Sequence, residues 1–297
     1  MGALASKRRR TTNIAAVVFL TPALFFLTVF FAYPIFTSFE LSLFDWNAIA
    51  VNRTFVGLGN WRELLFEDRV FWFAFRNNLV VVVFSLLFQV PFALALATFL
   101  DAGGKKFNLF KIIWFLPLLM STVAVGFLFR FALDANFGII TFFSRLLGGG
   151  AVDLLGHQDR ALLAVIGVIC WRFIPFYMIL YLAGYSTLPE ETYEAAIIDG
   201  ANRNQYFWRV ALPLLVPTIR NGAILSIVGS LSFFDLVFVM TGGGPGIASE
   251  LMATYMYRTA FASMRMGYGA TIASAMFILI TIIALVVMRS LTRKEKD

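Results

Sequence analysis

The chain has 297 residues, of which 60% are hydrophobic and only 14% charged, and its mean hydropathy is +0.82. A water-soluble domain of this length cannot hide that much apolar surface, so the chain reads as an integral, all-helical membrane protein whose solvent is lipid. Its net charge of +7 sits mostly on cations that bracket apolar runs, which reads as topology rather than nucleic-acid binding, and a lone cysteine (Cys170) and a lone histidine (His157) leave no internal disulfide and no metal site.

In chain order, residues 1–12 form a basic tail with Lys7, Arg8, Arg9 and Arg10. The transmembrane domain runs over 13–288, and 289–297 form a second basic tail. The first apolar run, about Asn13 to Tyr33, is too long for a secretory signal and ends without a small-residue cleavage site, so it reads as an uncleaved span. The outer segment Pro34 to Asn77 contains "FVGLGNWRELLFEDRVFWFAFRNN", whose mixture of apolar and charged residues reads as a helix lying flat in the interface. Five more spans follow, at about Asn78–Leu100, Ile112–Leu133, Ala161–Tyr185, Leu212–Met240 and Gly267–Met288. Prolines 22, 91, 117 and 175 fall inside these runs and are expected to mark kinks. The positive-inside rule puts both tails, the Lys105–Lys106–Lys111 loop and the region around Arg203, Arg209 and Arg220 in the cytoplasm.

One cytoplasmic stretch, about 187–212, is too polar for its surroundings. In "STLPEETYEAAIIDGANRNQYF", Thr187 and Glu190 have capping-box spacing with Pro189 in the first turn, which predicts a helix over Leu188–Asp199. Gly200 suits the stop, and Asn204 suits the cap of a second short helix leading to Pro213. The pattern is two short helices joined at an angle by glycine.

The anchors Glu194, Ala195, Ala196, Asp199, Gly200, Leu212 and Pro213 resemble the "EAA…G…I-x-L-P" signature of ABC importer permeases, with Val210 for the usual isoleucine. In that family this segment is a coupling helix docking into a cleft of a cytoplasmic ABC ATPase dimer. "FVGLGNWRELL", "TGGGPG" (241–246) and "MGYGATIASAMFILI" extend the resemblance to the maltose/glycerol-phosphate group, to the subunit related to the larger maltose permease chain. The extra N-terminal helices and large outer domain of that chain are not in this sequence, which looks like the six-helix oligosaccharide variety. The resemblance implies a type I permease fold. It also implies three partners: a homologous second permease, the ATPase dimer and an extracytoplasmic solute-binding protein. The implied cargo is a carbohydrate, with glycerol 3-phosphate or another polar solute as the alternative, and no cofactor is implied.

Rival chemistries fit less well. "TGGGPG" lacks the lysine and Ser/Thr of a phosphate-binding loop and reads as a tight outer turn, so ATP hydrolysis belongs to another chain. An ion-coupled carrier would carry several intramembrane acids, whereas Arg172 and Asp235 are the clear intramembrane charges here. A membrane enzyme would need a nucleophile set or metal cluster that one histidine and one cysteine cannot supply.

By resemblance, the solute contacts fall on the fourth and fifth spans. The maltose permease's contact positions in the first of these match Ile169, Arg172, Phe173 and Phe176, none identical in type. The fifth span offers Ser226, Ser230, Ser232 and Asp235 as its polar candidates. Serine in a membrane helix often only bonds its own backbone. Arg172 and Asp235 are read either as an ion pair joining two spans or as sugar ligands.

Overall fold

A computed structural model describes residues 17–293, so the basic tail 1–12, the start of the first span and residues 294–297 lie outside the described residues. Five helices are long and apolar enough to cross a membrane, or six when one bent pair is counted as a span. They are α1 (Val17–Leu41), α3 (Arg69–Gly103), the pair α4 (Asn108–Leu119) and α5 (Thr122–Ala132), α7 (Ala161–Tyr185), α9 (Arg203–Leu231) and α12 (Met266–Arg293). Between them lie a hairpin of β1 (Phe44–Asp45) and β2 (Thr54–Phe55) and the short helices α2 (Gly59–Arg62), α6 (Ile139–Leu146), α8 (Glu190–Ile198), α10 (Asp235–Met240) and α11 (Met252–Tyr257).

The chain divides into two units. The first takes residues up to Glu67 together with Met256–Ala275. Here β1 pairs antiparallel with β2, Phe44 opposite Phe55, and their rings meet edge to face. Asn60 donates to the carbonyls of Ser42 and Phe44, and Gly267 N–H donates to Trp46 O at 3.0 Å. A Cβ on Gly267 would collide with the Phe44 carbonyl, which explains glycine at this close approach. The outer segment, expected as one flat helix, is instead split into β2, α2 with one widened turn to Glu67, and the first turns of α3. Asp68 causes the division: its carboxylate accepts from Val70 and Phe71 N–H and starts α3.

The second unit, Asp68–Tyr255 with Met276 onward, holds the main core. Ala93 and Ala97 of α3, Tyr181 of α7 and Leu215 of α9 are buried together, and Val81, Val165, Leu236 and Leu251 centre a second cluster. Small residues set the helix spacing, as expected in lipid. A Cβ on Gly222 of α9 would press on the Tyr181 hydroxyl at 2.5 Å, and one on Gly126 of α5 would press on Val239 at 2.6 Å.

Several span boundaries differ from those expected from the sequence, and proline explains most of them. α1 continues past Pro34, and α3 starts well before Asn78. The third span is broken, α4 and α5 meeting at 94° across Met120 and Ser121, both in extended conformations, just after Pro117. The fifth span begins at Arg203, ends at Leu231 and resumes as α10 after the break 232–234. Pro175, by contrast, sits inside an unbroken α7. In three places a five-residue π-turn lies just before a proline: Thr28–Ala32 before Pro34, Ser85–Gln89 before Pro91, and Phe207–Ala211 before Pro213. In each, the residue preceding proline donates to the carbonyl five back, Tyr33 to Thr28, Val90 to Ser85 and Leu212 to Phe207. Widening the turn relieves the clash between the proline ring and the carbonyl four back.

Candidate functional site: an exposed two-helix segment and a mid-span cavity

The polar stretch folds as two helices joined by glycine. α8 ends in a Schellman turn, with Ala201 N–H donating to Ala196 O and Gly200 N–H to Ile197 O, each at 2.9 Å. Gly200 carries the turn at φ +78°, a conformation that needs glycine on backbone grounds alone, since a Cβ there would meet nothing within 4 Å.

Two capping expectations are corrected. Thr187 does not cap α8: Pro189 holds the cap position, and the Thr187 hydroxyl donates to Gly184 O at 2.7 Å, a carbonyl at the end of α7 that also accepts the Thr187 N–H. The second helix is capped by Asn202 rather than Asn204. Asn202 Oδ1 accepts from Gln205 N–H, and Gln205 Oε1 accepts from Asn202 N–H, a reciprocal box at 2.9 and 2.8 Å. Asn202 is extended and so stands at the boundary, whereas Asn204 is already inside the helix.

α8 buries none of its residues within this chain, and Ile197 and Ile198 are exposed. Ala195, Ala196, Asp199 and Gly200 line a depression of about 430 Å³ whose other wall includes Gln205 and Arg209. Glu194 stands exposed beside it, while Leu212 and Pro213 lie where α9 leaves its π-turn. The segment is tied back at two points: the Tyr193 and Tyr206 rings meet edge to face at 5.0 Å, and Arg203 donates to Ala102 O at the end of α3 (2.8 Å).

The second feature is a cavity of about 450 Å³. It brings together Phe173 and Phe176 of α7, Ser226 and Ser230 of α9, and Ser232 and Asp235 at the break, with Ile169 also in its wall. Phe173 is the midpoint of α7, which puts the cavity near mid-span. Phe173 meets Phe233 edge to face at 5.8 Å, joining the two helices at the break. The serines differ in use. Ser232 bonds back to Val228 O, and Ser230 donates to Ser85 Oγ at 3.2 Å.

Arg172 is not in the lining of the cavity, although its guanidinium lies over the ring of Phe173, 5.8 Å from the centroid. Its guanidinium is buried and donates to Pro117 O at 2.7 Å and to Thr122 Oγ1 at 3.0 Å, the two sides of the broken third span. Among the described residues no ion pair joins it to Asp235, so the arginine clamps the α4–α5 bend, and Asp235 opens α10 at the cavity wall.

Other residues of the site were not picked out from sequence. Asn78, fully buried, donates to Ser230 O and Leu231 O and accepts from Met252 N–H. It thereby satisfies the carbonyls that the end of α9 leaves open and the first N–H of α11. Its neighbour Asn77 donates to Ala248 O and Glu250 O. The paired amides at the start of the apolar run were the available signal. Tyr177, Phe233 and Phe234 also line the cavity, as does Gln89, the last residue of the π-turn before Pro91.

Residues 89–297 match the family described as "Binding-protein-dependent transport system inner membrane component". The multiple sugar-binding transport system permease protein MsmF of Streptococcus mutans is 32% identical over 90% of this chain and 91% of its own. The arabinooligosaccharides transport system permease protein AraP of Bacillus subtilis is 30% identical over 93% of this chain and 88% of its own. Among solved structures, a bacterial ABC transporter that imports the acidic polysaccharide alginate contains a chain with the same fold. Its TM-score is 0.81 at 24% identity, covering 98% of this chain and 99% of that one. A bacterial alginate ABC transporter in complex with an alginate pentasaccharide-bound periplasmic protein scores 0.79 at 24% identity, over 96% and 94%.

Proposed function

The chain belongs to the binding-protein-dependent transport system inner membrane component family, and from that we propose that it is the permease subunit of an ATP-driven sugar importer. It forms half of the translocation path beside a homologous permease, receives solute from an extracytoplasmic binding protein and is driven by an ATPase dimer docked on α8. Both termini and α8 face the cytoplasm, because the cations flanking the spans gather on that side.

The observation that carries this reading is that one helix joins the two features. α9 starts at Arg203 beside Gly200 and runs unbroken to Leu231 at the cavity break. A movement of α8 passes through the short turn 199–202 into α9 and reaches the wall of the cavity along that one helix. Ala195 and Ala196 let the ATPase approach closely, and Ile197 and Ile198 supply apolar area that this chain leaves uncovered.

The cavity supports a neutral sugar over a phosphorylated or acidic one. Its lining combines aromatic rings, which stack on the C–H faces of sugars, with hydroxyls, an amide and a carboxylate, and it contains no lysine or arginine. A phosphate or uronate would find no lysine or arginine in the lining of this cavity and would meet Asp235. Relatives named for multiple-sugar and arabinooligosaccharide transport support the same class.

The test is reconstitution with the second permease, the ATPase dimer and the binding protein in proteoliposomes. Uptake of labelled neutral oligosaccharides that requires internal ATP is the expected result. Uptake confined to glycerol 3-phosphate, or transport driven by an ion gradient without ATP, would refute it.

A further inference from the structure

Gln89 is a polar residue in the middle of a membrane helix, and the sequence patterns leave it without a role. It is only 3% exposed and lines the 450 Å³ cavity. Its amide makes no side-chain hydrogen bond to any described residue, and neither of its polar atoms is sealed in the protein. An amide held in a bilayer with both donor and acceptor open is costly unless something bonds it part of the time.

Local structure explains its aim. Pro91 cannot tolerate a regular turn before it, and the π-turn Ser85–Gln89 is the adjustment. One extra residue in a turn rotates the next residues around the helix axis, and Gln89 is the residue at which the widened turn ends. The break 232–234 and Asp235 line the same cavity. A carboxamide beside aromatic rings offers two donors and one acceptor, the complement of a hydroxyl pair on a sugar ring.

We propose that Gln89 is a specificity-determining residue of the path, contributed by α3 in addition to the fourth- and fifth-span positions. Its amide hydrogen-bonds the hydroxyls of the passing sugar. This rests on the reading of the cavity as the solute path.

Two measurements on the assembled importer test it. The first uses Gln89→Cys in a Cys170→Ala background, with labelling by a charged methanethiosulfonate read on this chain by mass spectrometry, and Ser232→Cys as the companion position. Both cysteines are expected to react, and saturating sugar is expected to slow both. If Ser232→Cys reacts and Gln89→Cys does not, the Gln89 proposal fails and the cavity reading stands. If neither reacts, both fail.

The second measurement is proteoliposome uptake with radiolabelled maltotriose, arabinotriose and raffinose as probes. Gln89→Leu is expected to raise KM about tenfold for the transported probe, the effect of one lost hydrogen-bonding partner. Gln89→Asn, with the same chemistry on a shorter arm, falls between. Melting temperature and subunit assembly stay at the parent values. A lower melting temperature or lost assembly with KM unchanged means Gln89 only packs helices, and overturns the proposal. If none of the three sugars enters with the unmodified chain, the sugar reading falls and this proposal with it.

Discussion

Replacing Gly200 isolates the geometry of the α8–α9 corner from its packing. The residue sits at φ +78°, and a Cβ would find open space, so alanine introduces no collision. What it introduces is the cost of an L-residue in the left-handed region, about 1–2 kcal/mol. A penalty of that size lowers the population of the native corner by a factor of about 5 to 30. A β-branched residue is worse there, and asparagine is better, because its short polar side chain tolerates the region. The expected order of function is therefore glycine, asparagine, alanine, valine, and side-chain size alone does not predict it. The assay is affinity of the reconstituted permease pair for its ATPase, then sugar-stimulated ATP hydrolysis in proteoliposomes. Membrane insertion and melting temperature should change little, since the corner packs against nothing at Gly200. If Gly200→Val docks and transports like the parent, or if asparagine performs worse than valine, the backbone argument is wrong.

Asn78→Leu removes three buried hydrogen bonds and strands two carbonyls and an N–H. At about 1–3 kcal/mol per stranded group it should lower the melting temperature in detergent sharply, and a shift within error of the parent would refute the bracing role. Arg172→Met should destabilise the α4–α5 bend in the same assay, and adding Asp235→Asn should not rescue it, because the arginine's bonds run to Pro117 and Thr122; full rescue by the double variant would restore the ion-pair reading. Asp235→Asn alone should leave the melting temperature unchanged and alter uptake of sugars. The purified chain without its partners should not hydrolyse ATP, and turnover in a phosphate-release assay would contradict the absence of a phosphate-binding loop from its sequence.

The features legible in the sequence are those that local chemistry determines. The spans are legible because a helix in lipid needs a long apolar run, and α7 has the termini expected for it, Ala161 and Tyr185. Gly200 is legible because positive φ is written in its identity. The cavity residues Phe173, Phe176, Ser226, Ser230, Ser232 and Asp235 stand out in the sequence as polar or resemblance-matched positions on two spans, and the fold gathers them. Arg172 shows the limit. Intramembrane charge marks a residue as constrained, but the helix face it occupies decides whether the constraint is a ligand or a clamp. That face depends on the break after Pro117, which hydropathy averages away. The roles of Asn78 and Gln89 were not legible for a related reason: an amide adds little to a hydropathy window, and the elements that each faces are distant in the sequence.

Proline is the thread connecting these cases. From sequence each intraspan proline suggests a kink of one kind, yet the structure shows three outcomes. Pro175 is absorbed in a continuous helix, Pro117 precedes a 94° break, and Pro34, Pro91 and Pro213 each come after a widened turn. The chemistry at the proline is identical in all five, a missing N–H and a ring against the carbonyl four back. What differs is the neighbourhood that takes up the freed carbonyl or the extra turn. At Pro117, Arg172 supplies a donor to the proline's own carbonyl and a second to Thr122 beyond the break, so the chain can bend fully. At Pro91 and Pro213 the helix stays whole and adopts one wide turn, which reorients the residues just before the proline. Gln89 ends one such turn and lines the cavity, and Ala211 ends the other within α9, two turns beyond its start at Arg203. Moving either proline by one position should therefore misdirect a side chain while leaving the span intact.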